Sequence, residues 1–505
     1  MSGMVYEINT EVWLREQTWS SANGSDLADI PDGLIEEWAR MGIDIVWFLG
    51  VWKTGAASRR ICLENEGLRA SFEQALPGAV PNHVVGSPFS IVDYSLRPEF
   101  GDETTLLRLR EKLHAHGIRL MLDFVPNHLA VDHPWIQKHP ERFVRGAEVM
   151  MEREPHNYFR VPGNPSRILA HGRDPYFPGW TDTAQVNIFS NETRRALVEM
   201  LLAVSDVCDA VRCDMAMLLV NNVFKRTWGD LSIKEYPSGD PPEFWVEAIA
   251  AVKQRHPDFV FLAEVYWGLE REMQEMGFDY TYDKNLYDCL RAGDGATARN
   301  LLRAPKEFQT KLVRFIENHD ESRAASVFGT RQKAVATLIS ALPGLLLYHE
   351  GQFDGRRVHV PVQLDARPQE TVDETVSRFY KRLLAIAHEP VMREGEFQPL
   401  AVREAWRENV TFHVIVTYWR SLGDQRRLVV ANIGEHQAQS YTSVPLDGFS
   451  CPVLEFRDLM SEACYYRSRN GLARKGLYLD IAGGAYHIFR VQPAPPGREP
   501  DPDSE

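Results

Sequence analysis

The sequence predicts an α/β protein: a (β/α)8 TIM barrel with an inserted subdomain after its third strand and a C-terminal antiparallel β-sandwich. Three observations predict it. Eight strand-length apolar runs alternate with helix-period stretches, about 80 residues separate the third run from the fourth, and after Pro390 the pattern changes to short strands between turns.

In order, the eight runs are Val5–Leu14, Ile43–Val51, Ile118–Val125, Ala210–Met215, Phe259–Val265, a weaker one at Phe278–Tyr282, Leu312–Ile316 and Gly344–Tyr348. Several are hydrophobic almost without interruption, as parallel strands covered on both faces must be. Between the second and third runs, Leu106, Leu109 and Leu113 recur at helical spacing and Gly117 supplies a stop; residues 32–42 repeat the device before the second run. Such alternation closes into a barrel whose functional groups sit at the C-terminal strand ends. The His-, Pro-, Arg- and aromatic-rich stretch after the third run far exceeds the ~2–6 residues of a plain βα loop, and residues 129–192 are expected to form a subdomain over the cleft. The barrel is assigned to 1–392 and the sandwich to 393–493, with strands expected at 410–418, 427–431, 453–456, 477–481 and 485–491. The proline-rich acidic tail 494–505 is expected to be disordered.

The bulk numbers narrow the function. The 505 residues are 44% hydrophobic and 25% charged, ordinary for a globular protein with a sizeable core. A net charge of −14 with no compensating basic block argues against nucleic acid or an anionic membrane as partner. Cys62, Cys208, Cys213, Cys289, Cys451 and Cys464 form no CxxC pair and are expected as packed free thiols. The N-terminus lacks the basic and apolar regions of a signal peptide, and no run approaches the ~18 apolar residues of a membrane span, so a cytoplasmic location is expected.

Four segments place carboxylates just after apolar runs: Asp123 in Asp-Phe-Val-Pro-Asn-His, Asp214 in Val-Arg-Cys-Asp, Glu264 in Phe-Leu-Ala-Glu and Asp320 in Glu-Asn-His-Asp. Each alone has a structural explanation: a braced turn, a strand-end ion pair, a rim group, a cap. Together they point to one polar cleft, because an unpaired carboxylate at a buried strand end is costly. In Arg212-Cys213-Asp214 the two charged side chains share a strand face, and the guanidinium favours an ionised Asp214. Glu264, between an apolar run and Val265-Tyr266-Trp267, has the setting of a carboxyl kept protonated. One ionised and one protonated carboxyl, with a third to stabilise positive charge, meet the needs of retaining glycoside hydrolysis.

These segments, in this order, resemble the α-amylase family of retaining glycoside hydrolases and transglycosylases, over most of the chain. The resemblance implies Asp214 as nucleophile, Glu264 as general acid/base and Asp320 as transition-state stabiliser. It implies sugar or nucleophile contacts for Arg212, His128 and His319, a structural role beside the substrate for Asp123, and calcium ligation as a role open to Asn127. Gln185-Val-Asn-Ile-Phe resembles a further family motif. Phe89 stands where the family usually has Tyr, keeping ring stacking and losing a hydroxyl, and Ala210-Val211 replaces the usual Gly-Phe before Arg. Tyr266 is a weaker candidate for sugar contact. The expected substrate is a maltodextrin-like oligosaccharide or small α-glucoside. No cofactor is implied for the chemistry, and structural calcium is left open. A transglycosylase or isomerase of the same family is the alternative, and a sugar-binding barrel without catalysis is the alternative of another class.

Overall fold

The computed structural model describes residues 3–17, 26–229 and 241–502. Eight parallel strands close the barrel: β1 (Gly3–Asn9), β2 (Ile45–Leu49), β3 (Arg119–Phe124), β4 (Ala210–Cys213), β5 (Val260–Ala263), β6 (Tyr280–Tyr282), β7 (Leu312–Arg314) and β8 (Leu345–His349). Each pairs with its chain neighbours, and β8 closes on β1 through Gly3↔Leu345 to Glu7↔His349. Helices cover the outside, so β2, β4, β5 and β8 are buried at every position, which explains their unbroken apolar runs.

The first run is shorter as a strand than expected. Pairing stops at Asn9, and Thr10–Arg15 forms helix α1, with Glu11 linked to Arg15 four residues on and to Arg97 at 2.7 Å. Val12, Trp13 and Leu14 continue the apolar run on the helix, where composition alone does not separate buried helix from buried strand.

Between β3 and β4 the chain makes two small antiparallel pairs, His128–Ala130 with Thr183–Gln185 and Tyr158–Val161 with Asn164–Ala170, beside the C-terminal ends of the barrel strands. The C-terminal sandwich has strands β9 (Glu396–Pro399), β10 (Val402–Glu404), β11 (Ile415–Leu422), β12 (Gln425–Asn432), β13 (Ala438–Thr442), β14 (Val453–Asp458), β15 (Cys464–Ser468), β16 (Leu477–Ile481) and β17 (Tyr486–Pro493). They form two antiparallel sheets, β9-β11-β12-β17-β14-β15 and β10-β13-β16, around a core that includes Trp419, Leu428, Leu454 and Phe489. The β10–β11 connection includes a 3-10 turn at Thr411–Val414, so β11 starts later than the alternation suggests. Buried side chains fasten barrel to sandwich: Tyr418 donates to Leu338 O at 2.8 Å, and Arg331 to Ile433 O at 2.9 Å. The tail expected to be disordered is instead held as far as Asp501, which exchanges bonds with Tyr466 and pairs with Arg467 at 2.5 Å; 503–505 lie outside the described residues. All six cysteines are unbonded thiols, Cys62, Cys208 and Cys213 buried.

Candidate active site

The strand ends build the site. Arg212 on β4 stands opposite Asp123 of β3 and Leu262 of β5. The ladder continues one residue further on each strand, Asp214 N donating to Phe124 O at 2.9 Å and Glu264 N to Cys213 O at 3.1 Å. Both carboxylates therefore leave the sheet at fixed positions. Met215 then turns with φ 43°, in the left-handed region, and its N–H donates to Glu264 Oε2 at 2.6 Å.

Arg212 has no exposed side-chain surface and sits amid three carboxylates. Its Nη1 donates to Asp214 Oδ1 at 2.5 Å. Nη2 lies 2.8 Å from Glu264 Oε2, an ion pair off the angle of a hydrogen bond, and 4.0 Å from Asp320 Oδ2. The rings of Trp47 and Phe89 lie 5.5 Å from the guanidinium carbon and complete its cage. Asp320 Oδ2 is also 3.1 Å from His319 Nε2, whose Nδ1 contacts Glu7.

Phe89, Asp214, Glu264, Tyr266 and Asp320 line one cleft of about 540 Å³, with Trp180 and Asp182 among its other walls. Arg212 and His319 lie behind that surface, buried, and hold the carboxylates from below. His128 is 4% exposed, its ring 5.1 Å from that of Trp180. Asp123 is placed differently: Trp47 Nε1 donates to its Oδ1 at 3.1 Å and Gly50 N to its Oδ2 at 2.8 Å, so it braces the ends of β2 and β3 beneath the cleft. Tyr266 OH donates to Glu264 Oε1 at 2.7 Å, so its role runs through that carboxylate.

Asn127, the residue to which the resemblance left calcium ligation open, is paired with a neighbouring amide. Its Oδ1 accepts from Gln185 Nε2 at 3.0 Å and its Nδ2 points to Gln185 Oε1, a pair that closes the amide against its neighbour. The ion needs roughly six to eight oxygens. Among the described residues the one cluster of three carboxylate or imidazole groups close enough to share an ion is His139, Glu141 and Glu192, where Arg142 already pairs with Glu192 at 2.8 Å. In the insertion, Asp174 caps a turn by accepting from Tyr176 N and Phe177 N. Glu350, just after β8, is buried against Arg367 at 2.5 Å.

The electrostatics separate the carboxyls. Burial pushes Glu264 up to about 7, Arg212 opposing and Asp214 and Asp320 adding to the rise. Burial also raises Asp214, while Arg212 pulls the other way through its charge and hydrogen bond, the direction expected of the guanidinium. For Asp320, burial raises the carboxyl but His319 and Arg212 outweigh it and hold it well below the usual range. Its side chain is 46% exposed into the cleft, so water screens part of that effect. In His319, burial favours the neutral ring, yet Asp320 and Glu7 raise it to about 10. Burial drops His128 to about 4, leaving a neutral imidazole.

Sequence reasoning missed Glu7, the fully buried partner of His319 from the end of β1. A glutamate inside a run of strand-forming residues, Val5-Tyr6-Glu7-Ile8, was the available signal. It also missed Met215, whose backbone rather than side chain reaches Glu264.

The α-amylase catalytic-domain model matches residues 41–376. The chain belongs to the α-amylase family. Among curated relatives, this α-amylase-family chain is 24% identical over 383 residues to α-amylase MalA of Haloarcula japonica, covering 73% of this chain and 51% of that one. It is 26% identical over 248 residues to an α-1,4-glucan:maltose-1-phosphate maltosyltransferase of Cereibacter sphaeroides, covering 48% of this chain and 30% of that one. It thus spans about half the length of the first and less than a third of the second. Its fold resembles a maltogenic α-amylase of Thermotoga neapolitana (TM-score 0.68, 17% identity, 97% and 98% of the two chains). It also resembles an α-amylase of Lactobacillus plantarum (TM-score 0.65, 20% identity, 97% and 98%). Among the described residues no helix is long and apolar enough to cross a membrane.

Proposed function

We propose that the protein is a retaining α-glucosidic enzyme that hydrolyses α-glucosidic bonds in maltodextrin-like oligosaccharides. The observation that carries this reading is the single buried guanidinium of Arg212 shared by Asp214 and Glu264, with Asp320 at its edge, on one cleft wall. A shared guanidinium favours the shorter of the two carboxylate spacings used by glycosidases, roughly 5–5.5 Å, which has no room for an intervening water.

In the first step Glu264 donates its proton to the glycosidic oxygen while Asp214 attacks the anomeric carbon; the glycosidic bond breaks and a glycosyl ester forms. In the second, Glu264 takes a proton from water, whose oxygen displaces Asp214. Asp320, held ionised by His319, faces the developing oxocarbenium charge. The direct hydrogen bond from Arg212 goes to Asp214, while Glu264 is the group raised to about 7, so the proton shared by the pair resides on Glu264 at working pH. Phe89 and Trp180 offer faces for sugar rings. Transfer to a second sugar in place of water is the other reading, supported by the maltosyltransferase relatives.

The pH dependence tests the assignment. Glu264 must be protonated and Asp214 ionised, so kcat/KM for maltodextrin is expected to fall as pH rises through about 7. It falls again in acid as Asp214 takes up a proton. A rate that stays flat from about pH 6 to about pH 9 contradicts the role given to Glu264.

A further inference from the structure

A cleft of about 620 Å³ lies on the barrel face opposite the carboxylates, where the barrel base meets the sandwich. Its walls come from 302–310, which lead into β7, from Pro343 and Gly344 ahead of β8, and from β9 and β11 of the sandwich. Four cations line it, Arg303, Lys306, Arg393 and Arg420, against one acid, Glu394. In a chain of net charge −14 that local excess is unusual.

Arg420 makes this more than a basic patch. It is 2% exposed, its Nη2 donates to the carbonyl of Met392, and its Nε has no acceptor. Among the described residues no carboxylate pairs with it, and burial pushes its pKa down to about 10 with only Tyr418 opposing. A buried guanidinium without a counter-ion is costly. Arg393 is matched by Asp44 at 2.6 Å, whereas Arg303 contacts the neutral amide of Asn300 at 3.2 Å. Among the described residues Arg420, Arg303 and Lys306 form no carboxylate ion pair, so these three cations outnumber Glu394, the one acid that lines the cleft.

We infer that this cleft binds a small phosphate-bearing molecule, its phosphoryl oxygens against Arg420, Arg303 and Lys306 and its organic part toward Phe397 and Pro399. A planar guanidinium fork suits phosphoryl oxygens, and an ammonium adds a point charge. The volume falls within the range of small-molecule sites. The ligand would touch barrel and sandwich at once and so tie them together.

The test is thermal unfolding of the whole chain with glycerol 3-phosphate, inorganic phosphate, or sodium chloride at matched ionic strength. The expected result is a saturable rise in Tm with the phosphate compounds that chloride does not reproduce. A larger rise with the ester assigns the site to organic phosphates; equal rises assign it to the free anion, and both uphold phosphoryl recognition. Arg420→Gln should abolish the rise. Because that variant disturbs a buried position, the exposed pair Arg303→Gln/Lys306→Gln is measured beside it. The double variant should keep wild-type turnover and shift the phosphate midpoint at least about tenfold. No rise above the chloride control in wild type, or an unchanged midpoint in the double variant, overturns the inference.

Discussion

Asp214→Asn is expected to lower turnover of maltodextrins by about 10⁴-fold or more while leaving the protein at least as stable as wild type. The loss follows because an amide cannot form the glycosyl ester; 10⁴-fold corresponds to about 5 kcal/mol of barrel-end chemistry. The stability half follows from linkage. A carboxyl whose pKa is raised in the folded state, as burial raises Asp214, disfavours its own ionised form there, so its charge costs stability at neutral pH. Replacing it with a neutral group of the same shape removes that cost, and Arg212 keeps Glu264 at 2.8 Å and Asp320 at 4.0 Å as counter-charges. Steady-state kinetics and urea unfolding of the same preparation check both halves. A variant with a substantial fraction of wild-type rate, or one strongly destabilised, contradicts the role.

Arg212→Met is expected to damage both fold and activity. The guanidinium is fully buried, and its removal leaves Asp214 and Glu264 close together with no cation between them. Breaking a buried pair in this way costs about 3–5 kcal/mol. The cost should depend on pH. Without Arg212 both carboxyls rise further, and a carboxyl with a raised folded pKa contributes stability that is full below its unfolded pKa and is lost as pH rises from there through the folded pKa. The deficit relative to wild type is therefore expected to be smaller at about pH 5 than at about pH 8, measured by urea unfolding at each. An equal deficit at both values shows that lost packing against Trp47 and Phe89, rather than unpaired charge, sets the cost.

The carboxylates of the candidate site were legible because they follow apolar strands directly, and strand ends of a barrel converge. Arg212 and Asp214 could be put on one face from spacing alone. The contact from Arg212 to Glu264 could not, since it depends on how β4 and β5 align. Glu7 was hidden for a related reason: its partner His319 lies 312 positions away, and they meet because β8 closes on β1 and brings β7 near. At Asn127 the motif position suggested a metal ligand and gave no sign of Gln185, 58 residues on, which donates to its amide oxygen. The first run misled because Val12 to Leu14 are as buried on a helix as they would be on a strand. The basic cleft at the barrel base left no sequence signal, its cations being scattered from Arg303 to Arg420 within an acidic chain.

In the proposed mechanism Asp214 and Glu264 act in two displacements at one anomeric carbon. The direct test is the anomeric configuration of the first product, followed by ¹H NMR within seconds of adding enzyme to maltoheptaose, with Asp214→Asn as control. The expected result is α-anomeric product, as free sugar or on a transfer product, appearing before mutarotation and absent from the control. Initial release of the β-anomer would contradict it, because that outcome requires a single displacement by water.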